Sequence, residues 1–348
     1  VQRFEYQRVQ TAEAAVQAAS HPANHNPVGA AATPSGHNVP AQYIAGGTNL
    51  TDYMALEVIK PHRLIDINPL PASRYAQIEA TEQGLRFGAL VRMSQAEEHP
   101  LVRSRYPVIR DTLVLAASRQ IRNMASLGGN VLQRTRCEYF RETSWGCNRR
   151  APGSGCSALL GVNRQHAILG TSEHCIATYP GDLAQALIAL DATVDTIGAP
   201  SGPRRIRFAQ LHRQPGNTPH IETTLHPAEL ITHINVPAGP WTARSRYVKV
   251  RDRESYQFAL TSAAVALHLD GATVREARIA LGGVATVPWR SHEAEEVLNG
   301  KPLDEALAMK AAEAAFAGAQ AREHNAFKVP VGKQTLVRAL LEAQALEV

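Results

Sequence analysis

The chain opens on an alternation. Phe4, Tyr6 and Val9 stand apart between polar residues, which predicts a strand. Thr11 then caps a short helix over TAEAAVQAAS, residues 11–20. Residues 21–40 carry Pro22, Pro27, Pro34 and Pro40 with Gly29 and Gly36, and read as a loop without secondary structure. Its histidines are too loosely spaced for metal ligands. Apolar runs resume with a short strand at Tyr43, Ile44 and Ala45, followed by HRLIDIN and LRFGAL as further strands. The segment SQAEEHPLVRSRYPVIRDTLVLAAS has a helical period and breaks at Pro107. A long helix is expected from about 107 to 122, with Val108, Leu113, Ala116 and Ala117 on its apolar side. DLAQALIALDATVDTIG predicts a helix and then a strand, and AELITHINVP another strand.

PAGPW, residues 237–241, marks a boundary. Beyond it RSRYVKVRDR and FALTSAAVALHLDGATVREARIALGGV alternate over long stretches with a turn at Asp270-Gly271, the pattern of an antiparallel sheet. SHEAEEVLNG, LDEALAMKAAEAAFAGA and KQTLVRALLEAQALEV close the chain as helices. A mixed α/β part followed by an α+β part is the expected architecture, and no internal repeat is found.

The length, 348 residues, suffices for two or three domains, and a hydrophobic content of 44% is that of an ordinary globular protein. No apolar run approaches the ~20 residues of a membrane span. The opening VQRFEYQRVQ lacks the apolar stretch of a signal peptide, so the chain is expected to stay in the cytoplasm or to leave it folded with a signal-bearing partner. The net charge of +5 raises the question of nucleic acid, but the arginines are scattered and aromatics make up only 5%, too few for a stacking surface. An anionic partner or a buried anionic cofactor accounts for the excess better. HExxH, GxSxG and the P-loop are all missing, and the 14 histidines form no constellation. The chain therefore reads as a cofactor carrier.

Two glycine turns suit an anion. In QYIAGGTNLTDYMAL a strand runs into Gly46-Gly47, Thr48 and Asn49 and then a helical pattern, so that turn amides and a helix start can face a pyrophosphate. An ordinary strand-to-helix turn capped by Thr48 or Asn49 gives the same pattern, and GxGxxG is not present. In NMASLGGNVLQRTRC, Ser126, Gly128, Gly129 and Asn130 form the second turn, readable equally as the glycine stop of the preceding helix. Together they point weakly to an extended ligand such as a dinucleotide.

All four cysteines, Cys137, Cys147, Cys156 and Cys175, fall in one segment at gaps of nine, eight and eighteen residues. Free thiols, two disulfides and a metal site are the three readings. Zinc prefers cysteines in close pairs, which do not occur here. A wider loop around a bulkier cluster tolerates such gaps, and four thiolates are the ligand set of [4Fe–4S]. Spacing does not decide the metal. Arg134, Arg136, Arg141, Arg149 and Arg150 crowd the first three cysteines and would offset the cluster's negative charge.

Taken together, IAGGTNL, SLGGNVLQRTRC, the cysteine spacing, KVRDR and LGGVATVPWR resemble the FAD-binding subunits of the xanthine dehydrogenase superfamily of molybdenum hydroxylases, above all those of the aldehyde oxidoreductase type. The resemblance covers nearly the whole chain. It implies a two-part FAD-binding domain over 1–238, with an insertion at 21–40 and an iron–sulfur loop at 134–178, then an α+β domain over 243–348 with an antiparallel sheet. Matched residue by residue, Ile44, Ala45, Gly46, Gly47, Thr48, Asn49 and Leu50 would hold the FAD pyrophosphate, and Ser126, Gly129 and Asn130 would form a second flavin-contacting turn. Asp182 would touch the cofactor, Ile231 would pack on the flavin, and Lys249 would sit near its ring and stabilise negative charge there on reduction. Without the resemblance these are a helix N-cap, a core residue and a solvated strand charge. The family more often has His-Pro-Ser-Asp before the acidic position; here Tyr179-Pro180-Gly181-Asp182 lacks the serine hydroxyl.

Most of the superfamily lacks the cysteine loop. It resembles that of the aldehyde oxidoreductase subunit and, less closely, of hydroxybenzoyl-CoA reductase, which implies a [4Fe–4S] cluster on all four cysteines. The flavin is then the reactive group, with no catalytic residue of this chain's own. The implied enzyme is a heterotrimer in which a large subunit holds the molybdenum cofactor and oxidises the aldehyde. A small subunit carries two [2Fe–2S] clusters, and this chain passes electrons through FAD to an external acceptor. The implied compartment is the periplasm, reached folded with a signal-bearing subunit, with the cytoplasm as alternative. A related hydroxylase subunit, a scaffold with a structural metal, and a nucleic-acid module are the competing readings.

Overall fold

In the computed structural model, residues 2–20 and 38–348 are described. The expected loop at 21–40 lies outside them except for its end, where 38–40 open a strand. Three sheets organise the described residues. The first is parallel, with β1 (Glu5–Arg8) and β2 (Asn38–Ile44) flanking β3 (Lys60–Asp66) in the order β1-β3-β2. Parallel pairing needs a crossover, and the helix Ala12–Ser20 supplies one by burying Ala12, Ala15 and Ala18 beside Ile65 and Ile67. The alternation that predicts β1 does not bury it. Its four residues are all exposed, Tyr6 reaching only to Asp66, and Val9 just beyond is the residue that enters the core.

The second sheet is antiparallel. β4 (Ile78–Thr81), β5 (Gly84–Gly88), β6 (Thr193–Ile197), β7 (Arg204–Arg207) and β8 (Leu230–Pro237) lie in the order β4-β5-β8-β6-β7. The third is also antiparallel: β9 (Ser245–Val250), β10 (Thr261–Asp270), β11 (Thr273–Gly282) and β12 (Trp289–Arg290), with the expected turn, where Gly271 takes a φ of 59°. The helices His292–Leu298, Glu305–Ala315 and Lys328–Gln344 cover this sheet over a core that includes Val265, Ile279, Leu336 and Leu340. A larger core joins the second sheet to the helices Pro107–Val114 and Leu183–Ala189 and continues into the third sheet through Tyr247, Ala264 and Ala280.

The helix expected over 107–122 is two helices, Pro107–Val114 and Arg119–Met124. Between them Ala117 takes a φ of 45° and Ser118 caps the second helix at Ile121 N. The break has a physical cause. The carbonyl of Leu115 is freed to accept from Lys249 Nζ at 3.0 Å and from Arg251 Nη1 at 3.1 Å, while that of Ala116 accepts from Arg122. A continuous helix would have spent both oxygens internally.

Candidate functional site

A cleft of about 760 Å³ opens where these parts meet. Its wall includes every cleft residue that the sequence singled out: Ile44 through Leu50, Ser126, Gly129, Asn130, Asp182, Ile231 and Lys249. The first turn follows β2. Gly47 has a φ of 72°, and a Cβ on Gly46 would stand 2.0 Å from Met124 O, so no larger residue fits without moving backbone. No acceptor among the described residues takes the backbone N–H groups of Gly46, Gly47, Thr48 or Asn49. Asn49 occupies the N-cap position of Leu50–Ala55 but makes no side-chain cap, and its Nδ2 is buried without a partner. The turn thus leaves donors unspent beside the cleft, and one of them, Asn49 Nδ2, is buried, where donors are almost always satisfied.

The second turn differs from its expected form. Gly128 and Gly129 do not stop the preceding helix; they lie in the first turn of the next one, Leu127–Val131, which Ser126 caps at Gly129 N, 3.3 Å away. Gly128 N is spent on Ala89 O and Asn130 N on Ser126 O. What this turn offers the cleft is a side chain, since Asn130 Oδ1 is buried and unpartnered.

Asp182 begins the helix Leu183–Ala189 without capping it through its side chain. Its carboxylate instead accepts from Tyr247 OH at 2.6 Å and from Lys249 Nζ at 2.8 Å. Lys249 is 1% exposed at its side chain, so the reading as a solvated strand charge fails. Burial, and then Asp182, push the Tyr247 phenol well above its usual range. Ile231, on β8, is buried in the main core and also borders the cleft, which joins the two roles weighed for it.

Sequence reading missed Tyr247, and it missed Asp52, Tyr53, Arg253, Tyr256, Gln257 and Phe258 on the cleft wall. The available signal was position, just past the first turn or within and just past RYVKVRDR. The arginines also fall differently. Arg136 and Arg141 line the cleft and meet on Asp52, at 2.5 and 2.6 Å, which holds its carboxyl below the usual range, Arg141 contributing most. Arg134 and Arg149 meet on Glu222. Arg150 holds backbone carbonyls of Tyr139, Phe140 and Thr143. Of the five, only Arg149 lines the small cavity that the four cysteines share, so the expected arginine shell reduces there to one guanidinium.

The four thiols are free and line one small cavity, with Arg149 and His174 beside them. Cys147 and Cys156 face each other across an antiparallel bridge. Asn148 stitches the loop by accepting from Gly153 N and Gly155 N and donating to His174 O. Burial pushes the Cys137, Cys147 and Cys156 thiols up from their usual range. The cavity is about 10 Å³, a single water's worth, and among the described residues no group of three or more His, Cys, Asp or Glu is arranged to hold a metal ion. A bulkier group is seated only with the sulfurs drawn outward. Gly153 and Gly155, with open space around them, leave the loop room to give.

Residues 2–239 match the FAD binding domain in molybdopterin dehydrogenase, and residues 246–343 match the CO dehydrogenase flavoprotein C-terminal domain. The chain belongs to the FAD-binding medium subunits of the molybdenum hydroxylases. It is therefore an oxidoreductase subunit. It is 45% identical to the aldehyde oxidoreductase FAD-binding subunit PaoB of Escherichia coli (strain K12), over 98% of each chain. It is 26% identical to the glyceraldehyde dehydrogenase medium chain of Sulfolobus acidocaldarius over 76% of this chain and 75% of that one. The fold is that of carbon monoxide dehydrogenase from Hydrogenophaga pseudoflava, with a TM-score of 0.73 over 99% of this chain and 98% of the other, at 24% identity. No helix among the described residues of this medium subunit is long and apolar enough to cross a membrane.

Proposed function

We propose that this subunit carries FAD in the cleft and a [4Fe–4S] cluster on Cys137, Cys147, Cys156 and Cys175, and moves electrons for a molybdenum-dependent aldehyde oxidoreductase. The aldehyde substrate class rests on the relative that is 45% identical from end to end, and on a second relative that is also an aldehyde dehydrogenase by name. A large molybdenum subunit would oxidise the aldehyde, and a small subunit with two [2Fe–2S] clusters would relay the electrons. This chain would deliver them to an external acceptor, in the periplasm; fractionation of cells that produce the complex tests the compartment.

The observation that carries the flavin reading is the set of unspent polar groups facing one cleft. The amides of Gly46 to Asn49 and Asn49 Nδ2 are donors without acceptors, suited to a pyrophosphate, and Asn130 Oδ1 is an acceptor without a donor. Ile231 offers an apolar surface for a ring, and the Lys249–Asp182 pair closes the wall beside it. Bound FAD takes electrons singly from iron–sulfur centres and gives them up as a pair. The cluster reading rests on the donor set, four buried or half-buried thiols facing one space.

Cofactor analysis of the purified complex tests both. The expected content is about one flavin, four irons and four sulfides assignable to this chain beyond those of its partners. Replacing any one of the four cysteines by Ala should remove the iron while the flavin stays. Zinc in place of iron would end the cluster reading, and protein that retains iron but never flavin would end the cleft reading.

A further inference from the structure

Cys137 differs from the other three thiols. It lines the cysteine cavity and also borders a second chamber of about 180 Å³, which none of the other cysteines reaches. Arg136, Pro180, Asp182, Gln257 and Phe258 line that chamber and the large cleft alike, so Cys137 is the thiol on the side of the flavin site.

His166 stands on the same wall. It is 3% exposed, and its Nε2 lies 3.1 Å from Cys137 Sγ. Its ring tilts against Tyr139 with centroids 6.0 Å apart. The segment is fixed from behind, because fully buried Lys328 donates to the carbonyls of Gln165 and Gly283, and Asn325 donates to that of His166. Yet His166 Nδ1 is buried with no partner among the described residues. An orphan buried nitrogen costs free energy that an apolar ring of the same shape would avoid. An imidazole in this place is therefore explained by what Nε2 does, not by packing.

We propose that His166 is a positioning residue of the iron–sulfur site, donating Nε2–H to the Cys137 thiolate and raising the cluster's reduction potential on the side that faces the flavin. This rests on the cluster reading given above. A ligating thiolate has no proton and only accepts, so Nε2 must carry the hydrogen whatever the state of Nδ1. One-electron reduction adds a negative charge to the cluster. An N–H dipole aimed at a ligand sulfur stabilises the reduced form more than the oxidised one, and so favours an electron resting beside the flavin.

The test is a redox titration of the purified complex, followed by the EPR signal of the reduced cluster. His166→Phe keeps the ring's bulk and removes the donor. At a fixed potential its reduced-to-oxidised ratio should fall roughly tenfold, a drop of about 59 mV for a one-electron couple, with iron and flavin contents as in the unaltered protein. An iron-loaded variant with an unchanged midpoint overturns the proposal. Should His166→Phe lose its iron, protein with isotope-labelled histidine ring nitrogens decides the matter. The label is placed in a His174→Ala background, because exposed His174 also borders the cysteine cavity. A ring-nitrogen coupling on the reduced cluster supports the hydrogen bond, and its absence overturns it. Unaltered protein that carries flavin but no additional cluster signal removes the cluster reading itself, and this proposal with it.

Discussion

Lys249 and Asp182 are each intelligible only through the other. A carboxylate with a side chain 6% exposed is costly alone, and here a phenol and an ammonium satisfy it. The ammonium has three N–H groups, of which Leu115 O and Asp182 Oδ2 take two. The pair is neutral overall, so Lys249 would meet a flavin as one directed donor and not as a free positive charge. The expected role of Lys249, stabilising negative charge on a reduced flavin, would then fall to that donor. Lys249→Met should destabilise the subunit by about 3–5 kcal/mol, because it strands a buried carboxylate, whereas Lys249→Met with Asp182→Leu should recover most of that loss. Urea unfolding of the two variants measures the difference. A single variant within about 1 kcal/mol of the parent would mean that the pair contributes little.

At the level of elements, the two glycine turns look alike in sequence and work differently. The first was legible because its glycines answer a local need, a left-handed residue at Gly47 and backbone contact at Gly46. Gly46→Ala should therefore cost at least about 1–3 kcal/mol and lower flavin content, read from thermal denaturation and the flavin absorbance of the purified variant, while the four cysteines keep their iron. Full flavin occupancy in that variant would show that the turn can shift without loss. The second turn left two readings open because Gly-Gly after a helical run serves equally as a stop or as the opening of the next helix; Ser126, three residues before Gly129, was the available sign of a new start. The broken helix after Pro107 was beyond reach. Its freed carbonyls answer to Lys249 and Arg251, more than a hundred residues away. The arginines were assigned to the cysteines by nearness in sequence, and space assigns four of them to Asp52 and Glu222 and the fifth, Arg150, to backbone carbonyls.

Those two carboxylates couple the cysteine loop to the rest of the molecule. Asp52 leads from the first turn to Arg136 and Arg141, on either side of Cys137, and Glu222 ties Arg134 to Arg149 beside the thiols. Both carboxyls are held below their usual range. For Asp52 the hydrogen bond from Arg141 contributes most; for Glu222 burial opposes the shift and the two arginines overcome it. A depressed pKa in the folded state gives a stabilisation that is complete above the ordinary carboxylate value of about 4 and is lost as pH falls through the folded value. Arginines stay charged throughout, so acid converts each triad into a pair of like charges. Asp52→Asn should impose the same loss at pH 7, on the order of 1 kcal/mol for a partly exposed pair, seen as a lower thermal midpoint. Its gap to the parent protein should narrow as pH drops below about 4 and close beneath the folded pKa. A gap that stays constant across that range would mean that the ionised carboxylate is not the source. Because the arginines on Asp52 line the cleft while flanking a thiol, the same variant should lower flavin and iron content together at pH 7, and loss of one with the other intact would show that Asp52 does not couple the two sites.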